Sequence, residues 1–226
     1  RGEARNLKEI SDNIMPKWGD RVVIPQPHMD LTTRRVMVMD FVPGQQLIKA
    51  VRAEYTKYAE SKGMTLEELE EEQKEKIRRG QIERRDVHAE ARKMRAIGAM
   101  VRASDVAKNS ARAAYNWTAG WFSEPKEYEW SSLPINLGEI LDLLNKVHAH
   151  EIFVDGAFNG DPHPGNILLC PDGRIGLIDY GQVKRISLDQ RLEYARLIVA
   201  LARGTKEDVV DRYIEMGCRT KNMDRD

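Results

Sequence analysis

Apolar residues recur every three to four positions in several stretches of the chain, and this spacing predicts amphipathic helices. The first stretch covers residues 1–15, and we expect Pro16 to end it because proline lacks the amide that a helix needs. A strongly amphipathic stretch covers residues 136–151. Two more follow at residues 187–203 and 205–216, and each begins with a pair of polar residues that is typical of a helix cap.

Short apolar runs between these helices predict small β-elements. Residues 21–24 and 35–42 are expected to form a hairpin or meander that stops at a Pro-Gly pair. Residues 167–170 and 175–178 flank the turn sequence PDG and predict a β-hairpin.

A highly charged segment occupies residues 54–95. Thr65 and Glu68 predict a capping box at the start of a helix, and we expect Gly80 to separate that helix from a second one over residues 86–115. Only three apolar residues line the first helix, so we expect it to bury little and to project into solvent. The segment is either a solvated surface or an arm that binds a protein partner.

Residues 116–134 hold three of the four tryptophans together with Gly and Pro, which predicts an ordered loop. Two roles suit its aromatic side chains. They pack an irregular insertion onto the protein core, which is our expectation, or they grip a lipid or a membrane interface.

Composition narrows the classes of protein and partner. The 226 residues suffice for one domain or two small ones. The 36 basic and 36 acidic side chains cancel, which argues against a protein that coats nucleic acid. No apolar run is long enough to span a bilayer, whereas peripheral membrane contact stays open. Cys170 and Cys218 form no cluster of the kind that binds zinc.

The candidate chemistry is concentrated in residues 158–182, FNGDPHPGNILLCPDGRIGLIDYGQ. Asp161 and Asn166 lie on a loop stiffened by two prolines, and the predicted hairpin then delivers Asp179 to the turn Asp-Tyr-Gly. Carboxylate and amide oxygens suit Mg²⁺, and a carboxylate can receive or orient a hydroxyl proton. The spacing matches the kinase pattern D-x-x-x-x-N followed by D-F-G, with Tyr180 in place of Phe.

Either motif alone is weak evidence, because such residues also cap turns. Their joint occurrence, with a helix before, a hairpin between and a capped helix after, favours a phosphoryl-transfer site. His163 lies two residues after the candidate base, where protein kinases carry a lysine that touches the γ-phosphate. It either contacts the nucleotide there or packs and caps within the double-proline loop.

The motifs NGDPHPGNIL and LIDYGQ, together with EARN and VMDFVPG near the start of the chain, resemble the UbiB family of atypical kinase-like proteins, also called aarF-domain-containing kinases or the activity-of-bc-one-complex family. The resemblance implies a protein-kinase-like fold of the α+β class. It implies three parts: an N-lobe remnant at residues 1–50, a charged helical insertion at residues 51–134 and a C-lobe at residues 135–226.

The resemblance also implies roles for individual residues. Asp161 would be the catalytic aspartate, and Asn166 and Asp179 would hold Mg²⁺. Glu3 falls in the segment that pairs with the nucleotide-binding lysine of a kinase. The backbone of Asp40, Phe41 and Val42 would form the hinge that binds the adenine of ATP, because a strand edge that ends at Pro-Gly exposes free amides and carbonyls.

Members of the family act as ATPases or as small-molecule or lipid kinases that support ubiquinone and other prenyl-quinone metabolism. The resemblance thus implies Mg-ATP-dependent phosphoryl transfer or ATP hydrolysis, with a lipid or prenyl-quinone precursor as a candidate partner and a mitochondrion or plastid as the location. Two alternatives stay open. One is a small-molecule phosphotransferase of the aminoglycoside- or choline-kinase kind, and the other is a nucleotide-binding pseudokinase scaffold.

A kinase site also needs a loop over the phosphates and a strand lysine, and both precede the helix in which residue 1 lies. We therefore expect this chain to be part of a longer protein and to hold only half of an active site.

Overall fold

The computed structural model describes residues 2–81, 86–119, 122–131 and 133–218. The chain divides into two compact units. The first comprises the residues up to Leu47 together with those from Leu144 onward, and the second comprises Ile48–Leu143. The division into three domains that the sequence suggested, at residues 1–50, 51–134 and 135–226, stays a prediction.

Runs of helices and runs of short strands follow one another along the described residues, which confirms the predicted α+β class. The helices are α1 (Gly2–Trp18), α2 (Leu47–Ser61), α3 (Leu66–Arg78), α4 (Val87–Thr118), α5 (Leu137–His150), α6 (Leu188–Arg203) and α7 (Lys206–Glu215). The strands are β1 (Val22–Val23), β2 (Gln45–Gln46), β3 (Ala157–Asn159), β4 (Ile167–Leu169), β5 (Ile175–Leu177) and β6 (Val183–Arg185). A π-helical turn, Glu151–Asp155, follows α5, and a 3-10 turn, Pro164–Asn166, precedes β4.

Helix α1 runs past the proline that was expected to end it. Pro16 lies in the last turn, and the helix continues to Trp18. Proline removes only one amide there, and the turn is closed by the amide of Gly19, which donates to the carbonyl of Met15 at 3.0 Å. The apolar face of α1 is buried as its spacing predicts, through Ala4, Leu7, Ile10 and Ile14.

The first unit contains a four-stranded sheet in the order β1-β5-β4-β2. β4 and β5 form the predicted antiparallel hairpin, in a register that joins Ile167 to Leu177. β1 adds to β5 in parallel, and β2 adds to β4 antiparallel. The turn of the hairpin needs Gly173, whose φ of +87° favours glycine. A separate antiparallel pair, β3 with β6, was not predicted.

The strand expected at residues 35–42 is not formed. A single antiparallel bridge joins Pro27 to Met39, and beside it the amide of Asp40 donates to the carbonyl of Gln26 at 3.0 Å. The expected partner strand pairs elsewhere, because β1 adds in parallel to β5 rather than to residues 35–42. The segment is therefore a loop rather than the expected hairpin.

Helices α5, α6 and α7 begin at the residues that the capping patterns predict. Ser187 opens α6 and Thr205 opens α7, each through a complete capping box. The side-chain oxygen of Asn136 accepts the amide of Glu139 at 3.2 Å at the start of α5.

The second unit is built on α2, α3 and α4. The predicted capping box of Thr65 and Glu68 is confirmed at the start of α3. Gly80, with a φ of +69°, follows the end of α3 as expected. The charged segment 54–95 is not one helix, because it spans the end of α2, all of α3 and the start of α4. Leu69 is the buried residue of α3, so the helix presents mainly solvated charge.

An extended strap, residues 122–131, lies along α4 and is held by polar side chains. Three side chains on one face of α4 bond to the strap at 2.7–3.1 Å: Asp105 to Ser131, Asn109 to Glu129 and Asn116 to Lys126. Both asparagines donate to a backbone carbonyl and accept a backbone amide of the same residue. The strap is thus ordered, as predicted.

We expected the aromatic residues of this region to pack onto the core, and the structure shows that they do not. Trp117, Phe122 and Trp130 are 82%, 94% and 58% exposed. The polar side chains of α4 hold the strap, and Trp130 contacts this helix from the surface, with the Arg102 guanidinium 5.6 Å from its ring centroid. Helix α4 also extends to Thr118, so residues 116–118 are helical rather than loop, and Trp121 lies outside the described residues. Among the described helices, none is both long and apolar enough to cross a membrane.

Candidate active site

The loop that carries Asp161 is fixed at its base by the β3–β6 pair. Asn159 pairs with Val183 in that ladder, and the next amide, of Gly160, donates to the carbonyl of Gln182 at 2.7 Å. A Cβ on Gly160 would lie 3.0 Å from the same carbonyl oxygen, so this close approach favours glycine. The two strands therefore hold the start of the loop against the segment that follows the Asp-Tyr-Gly turn.

Asn166 and Asp179 meet at the carboxyl ends of the 3-10 turn and the hairpin. The side-chain amide of Asn166 donates to Asp179 Oδ2 at 2.9 Å, and Asp179 Oδ1 accepts the amide of Gly181 at 2.9 Å. The backbone supports the contact, since the amide of Ile178 donates to the carbonyl of Asn166 at 3.2 Å. Within the described residues Asn166 Oδ1 has no hydrogen-bond partner, and each oxygen of Asp179 keeps acceptor capacity.

Asp161 is exposed, and its carboxylate is tied to the segment that follows the Asp-Tyr-Gly turn. Its Oδ2 accepts a hydrogen bond from Gln182 Nε2 at 3.3 Å. This bond leaves the second carboxylate oxygen accessible to a hydroxyl group. The sequence motif gave no role to Gln182, the residue that directly follows the Asp-Tyr-Gly turn.

Asn159 joins the two halves of the site, and the sequence gave no sign of this. Its Oδ1 accepts the amide of Asp161 at 3.0 Å, and its Nδ2 donates to the carbonyl of Asp179 at 2.8 Å. One side chain thus sets the separation between the Asp161 loop and the Asp179 turn. Local sequence could not reveal it, because the accepting carbonyl lies 20 residues further along the chain.

Tyr180 is 2% exposed, and its hydroxyl donates to the carboxylate of Glu151, also 2% exposed, at 3.1 Å. The other oxygen of Glu151 accepts from His148 Nδ1 at 3.1 Å and from the amide of Asn159 at 3.4 Å. Burial and the neighbouring carboxylate hold the pKa of the Tyr180 phenol well above its usual range, so the hydroxyl stays protonated. This pairing gives the tyrosine of the turn a partner that phenylalanine could not use.

Helix α1 brings Glu3 to the Asp179 turn. A Cβ on Gly181 would lie 3.9 Å from the carboxyl carbon of Glu3, which places the carboxyl group beside the turn. The side chain of Asn6 supports the contact by donating to the carbonyl of Tyr180 at 3.4 Å. Glu3, Asp161, Asn166 and Asp179 therefore belong to one neighbourhood, and their chemical roles stay predictions.

His163 caps the 3-10 turn. Its Nδ1 accepts a hydrogen bond from the amide of Gly165 at 3.0 Å. This contact is the capping role that the sequence offered beside a contact with the nucleotide. A contact between His163 and a phosphate stays a prediction.

The candidate hinge residues do not belong to this cluster. Val42 is buried against Leu168 and Cys170, whereas Phe41 is 88% exposed. The amide of Asp40 is already bonded to a carbonyl, so the expected row of free backbone groups is interrupted at that residue. All three residues line a cavity of about 230 Å³. Their role in binding adenine stays a prediction.

The donors at the site fit Mg²⁺. Across the described ranges, no three His, Cys, Asp or Glu side chains converge to cage a metal ion. Mg²⁺ does not require such a cage, because it keeps several waters and is held by one or two carboxylates together with substrate phosphates. The Asp179 carboxylate and the Asn166 amide oxygen suit that mode of binding, because the 2.9 Å hydrogen bond from Asn166 Nδ2 to Asp179 Oδ2 holds the two side chains together.

Comparison with known proteins places these motifs in a family. A family model described as the ABC1 atypical kinase-like domain matches residues 1–102 and 125–213. AarF domain-containing protein kinase 1 of Gallus gallus is 39% identical over 80 residues, which are 33% of this chain and 15% of that protein. Protein ACTIVITY OF BC1 COMPLEX KINASE 3, chloroplastic, of Arabidopsis thaliana is 26% identical over 110 residues, which are 47% of this chain and 16% of that protein.

Among solved structures, the Rv3197–erythromycin complex from Mycobacterium tuberculosis aligns with a TM-score of 0.46 and 15% identity, over 98% of this chain and 36% of that one. The chain thus spans a minor part of the length of the relatives it matches. The family match confirms the predicted kinase-like fold and the predicted resemblance.

Proposed function

The chain belongs to the ABC1 atypical kinase-like family, that of the UbiB and aarF kinases, and on that premise we propose that it forms the metal-binding and catalytic part of an ATP-dependent phosphoryl-transfer site. Proteins of this family are kinase-type enzymes. The proposal for this chain goes further, since it assigns Mg²⁺, ATP and the individual residues.

One observation carries the proposal: the two motifs meet in space. Asp161, Asn166 and Asp179 come from two separate segments, and Asn159 and the Asn166–Asp179 hydrogen bond hold those segments together. Turn-capping residues would have no reason to converge in this way. A phosphoryl-transfer site needs this convergence, because its catalysis depends on positioning and on charge stabilisation.

Each of the three residues has a distinct task in the proposed site. Asp179 and Asn166 bind Mg²⁺ through hard oxygen donors, and the ion supplies charge stabilisation to the phosphates. Asp161 receives or orients the proton of the attacking hydroxyl or water. Gln182 holds Asp161 in its orientation through the 3.3 Å hydrogen bond.

We extend the proposal to the rest of the nucleotide. Residues 40–42 would bind adenine, Glu3 would pair with a lysine supplied by the N-lobe, and His163 would approach the phosphates through the ring nitrogen that does not cap its turn. The position of Glu3 beside the Asp179 turn supports its part of this assignment.

The acceptor and the location are proposed from the family. A lipid or prenyl-quinone precursor is the proposed acceptor. A plastid is the better supported of the two proposed organelles, because several relatives carry chloroplastic names. The exposed Trp117 and Phe122 support peripheral contact with a membrane, and the exposed charge of α3 supports a protein partner.

Calorimetric titration with ADP, with and without Mg²⁺, tests the site in this chain and in the full-length protein. Asp179→Asn should abolish the Mg²⁺-dependent part of the affinity, whereas Asp161→Asn should leave the affinity within about twofold and lower ATP turnover by about 10²-fold or more. Binding that ignores Mg²⁺ would overturn the metal assignment. Unchanged turnover in both variants would overturn catalysis by these residues and favour a pseudokinase scaffold.

A further inference from the structure

The buried carboxylate of Glu151 is a costly feature that the proposed chemistry does not use. A carboxylate withdrawn from water needs donors around it, and Glu151 has three: the Tyr180 hydroxyl, His148 Nδ1 and the Asn159 amide. Two of these donors belong to the segments that carry Asp179 and Asp161. The carboxylate therefore links the Asp161 loop and the Asp179 turn from the protein interior.

The position of Glu151 makes it a rigid anchor. It begins the π-helical turn that follows α5, and this turn packs against α1, β3 and α6. A π-helical turn is an uncommon structure that is frequent at functional sites, and here it directs a glutamate into the interior. Moving Tyr180 out of its pocket would break the hydrogen bond and leave Glu151 without one of its donors.

Tyr180 directly follows Asp179, so its buried side chain fixes the backbone from which the Asp179 carboxylate reaches Asn166 and the Gly181 amide. The other side chains that bond to the turn come from the surface of the site. Asp179 and Gly181 are exposed, and the remaining bonds to the turn come from Asn159, Asn166 and Asn6. The one deeply buried side chain of the turn is thus the one that bonds to Glu151.

We propose that Glu151 is a positioning residue that locks the Asp179 turn in its metal-binding orientation by holding the hydroxyl of Tyr180. The lock is the Tyr180–Glu151 hydrogen bond, and it rests on geometry alone. Its effect on Mg²⁺ affinity rests on the proposed function. The two parts are measured separately.

Hydrogen exchange of the chain without metal or nucleotide tests the lock. Tyr180→Phe removes one oxygen atom and should speed exchange of the amides at residues 179–182 by about tenfold, which corresponds to one hydrogen bond to a charged group. Glu151→Gln should act in the same direction but less strongly, because the Tyr180 hydroxyl could then accept a neutral hydrogen bond from the glutamine NH₂ group in place of its bond to a charged oxygen. The double variant should be no worse than the stronger single variant, since both remove the same interaction.

Two control variants separate positioning from general destabilisation. Tyr194→Phe removes a hydroxyl from α6 and should leave exchange at residues 179–182 unchanged. Leu197→Ala removes buried volume from the same helix and should lower thermal stability without a selective effect on the turn. Selective loosening of the turn in Tyr180→Phe, and not in Tyr194→Phe or Leu197→Ala, supports the lock. Equal exchange in Tyr180→Phe and Tyr194→Phe, or additive effects in the double variant, would overturn it.

The functional consequence is that the affinity for Mg²⁺ should fall while the affinity for ADP without metal stays the same. Tyr180→Phe should raise the Mg²⁺ concentration that half-saturates ADP binding by about tenfold and leave metal-free ADP binding unchanged. A loose turn with unaltered Mg²⁺ dependence would overturn the positioning role. If the unaltered chain binds ADP without regard to Mg²⁺, the proposed function fails, and the exchange comparison still decides whether the lock exists. If Tyr180→Phe does not fold, Glu151→Gln supplies the same comparison.

Discussion

Replacing Asn159 by alanine tests whether the two halves of the site are held together as the structure indicates. The change removes the bond from the Asp161 amide to Asn159 Oδ1 at 3.0 Å and the bond from Nδ2 to the carbonyl of Asp179 at 2.8 Å. A neutral hydrogen bond contributes a net 0.5–1.5 kcal/mol, so the pair should contribute about 2 kcal/mol to the free energy of unfolding of the first unit. For a chain of this size that loss lowers Tm by roughly 4–8 °C.

Thermal unfolding monitored by circular dichroism, with hydrogen exchange at residues 159–166 and 179–182, provides the assay. Asn159→Asp is the matched variant, because it keeps an acceptor for the Asp161 amide and loses the donor to the Asp179 carbonyl. It should loosen the turn at residues 179–182 more than the loop at residues 159–166. A Tm for Asn159→Ala within about 1 °C of the unaltered chain, with unchanged exchange in both segments, would show that Asn159 does not hold the loop to the turn.

Three further changes test other parts of the structure. Asn109→Ala removes both bonds to the Glu129 backbone and should release the strap, seen as faster proteolysis within residues 122–131; an unchanged cleavage rate would contradict the role of Asn109. Gly44→Ala places a Cβ 2.8 Å from the Leu169 carbonyl oxygen and should cost about 1–3 kcal/mol in denaturant unfolding, whereas neutrality would show that β2 shifts freely. Burial raises the pKa of Asp155, and its Oδ2 has no hydrogen-bond partner within the described residues. The folded protein therefore binds a proton that the unfolded chain has already lost, so Asp155 lowers stability above its folded pKa. Asp155→Asn should raise Tm at pH 8, with a gain that shrinks as the pH falls to about 4; a gain that does not vary with pH would contradict this assignment.

The elements that local sequence determines were predictable. The capped starts of α3, α6 and α7 need only a hydroxyl and a partner three residues later. The β4–β5 hairpin needs only two apolar runs and a glycine turn. The proximity of the candidate residues was predictable for the same reason, because Asp161 and Asn166 share one loop and the hairpin brings Asp179 to Asn166.

The elements that long-range contacts determine were not predictable. β3 and β6 are three residues each and carry no alternating pattern, so only their pairing reveals them. Tyr180 and Glu151 lie 29 residues apart, and the sequence around neither residue indicates that the hydroxyl bonds to a buried carboxylate. The prediction that the aromatic side chains of the strap pack in a core was wrong. The polar side chains of α4 that hold the strap lie 10 to 26 residues away in the sequence, so only the structure shows this contact.

Paramagnetic broadening of amide NMR signals by Mn²⁺ tests whether the Asp161 loop and the Asp179 turn form one Mg²⁺–nucleotide site. The chain is titrated with Mn²⁺ in the presence and in the absence of ADP. We expect the signals of the non-proline residues of 161–166 and of residues 179–181 to broaden first and only with ADP present, and Asp179→Asn to abolish the effect. The glutamate-rich helix α3 is an internal control for non-specific binding of the ion. Broadening confined to α3, or equal at both places with and without ADP, would contradict the claim.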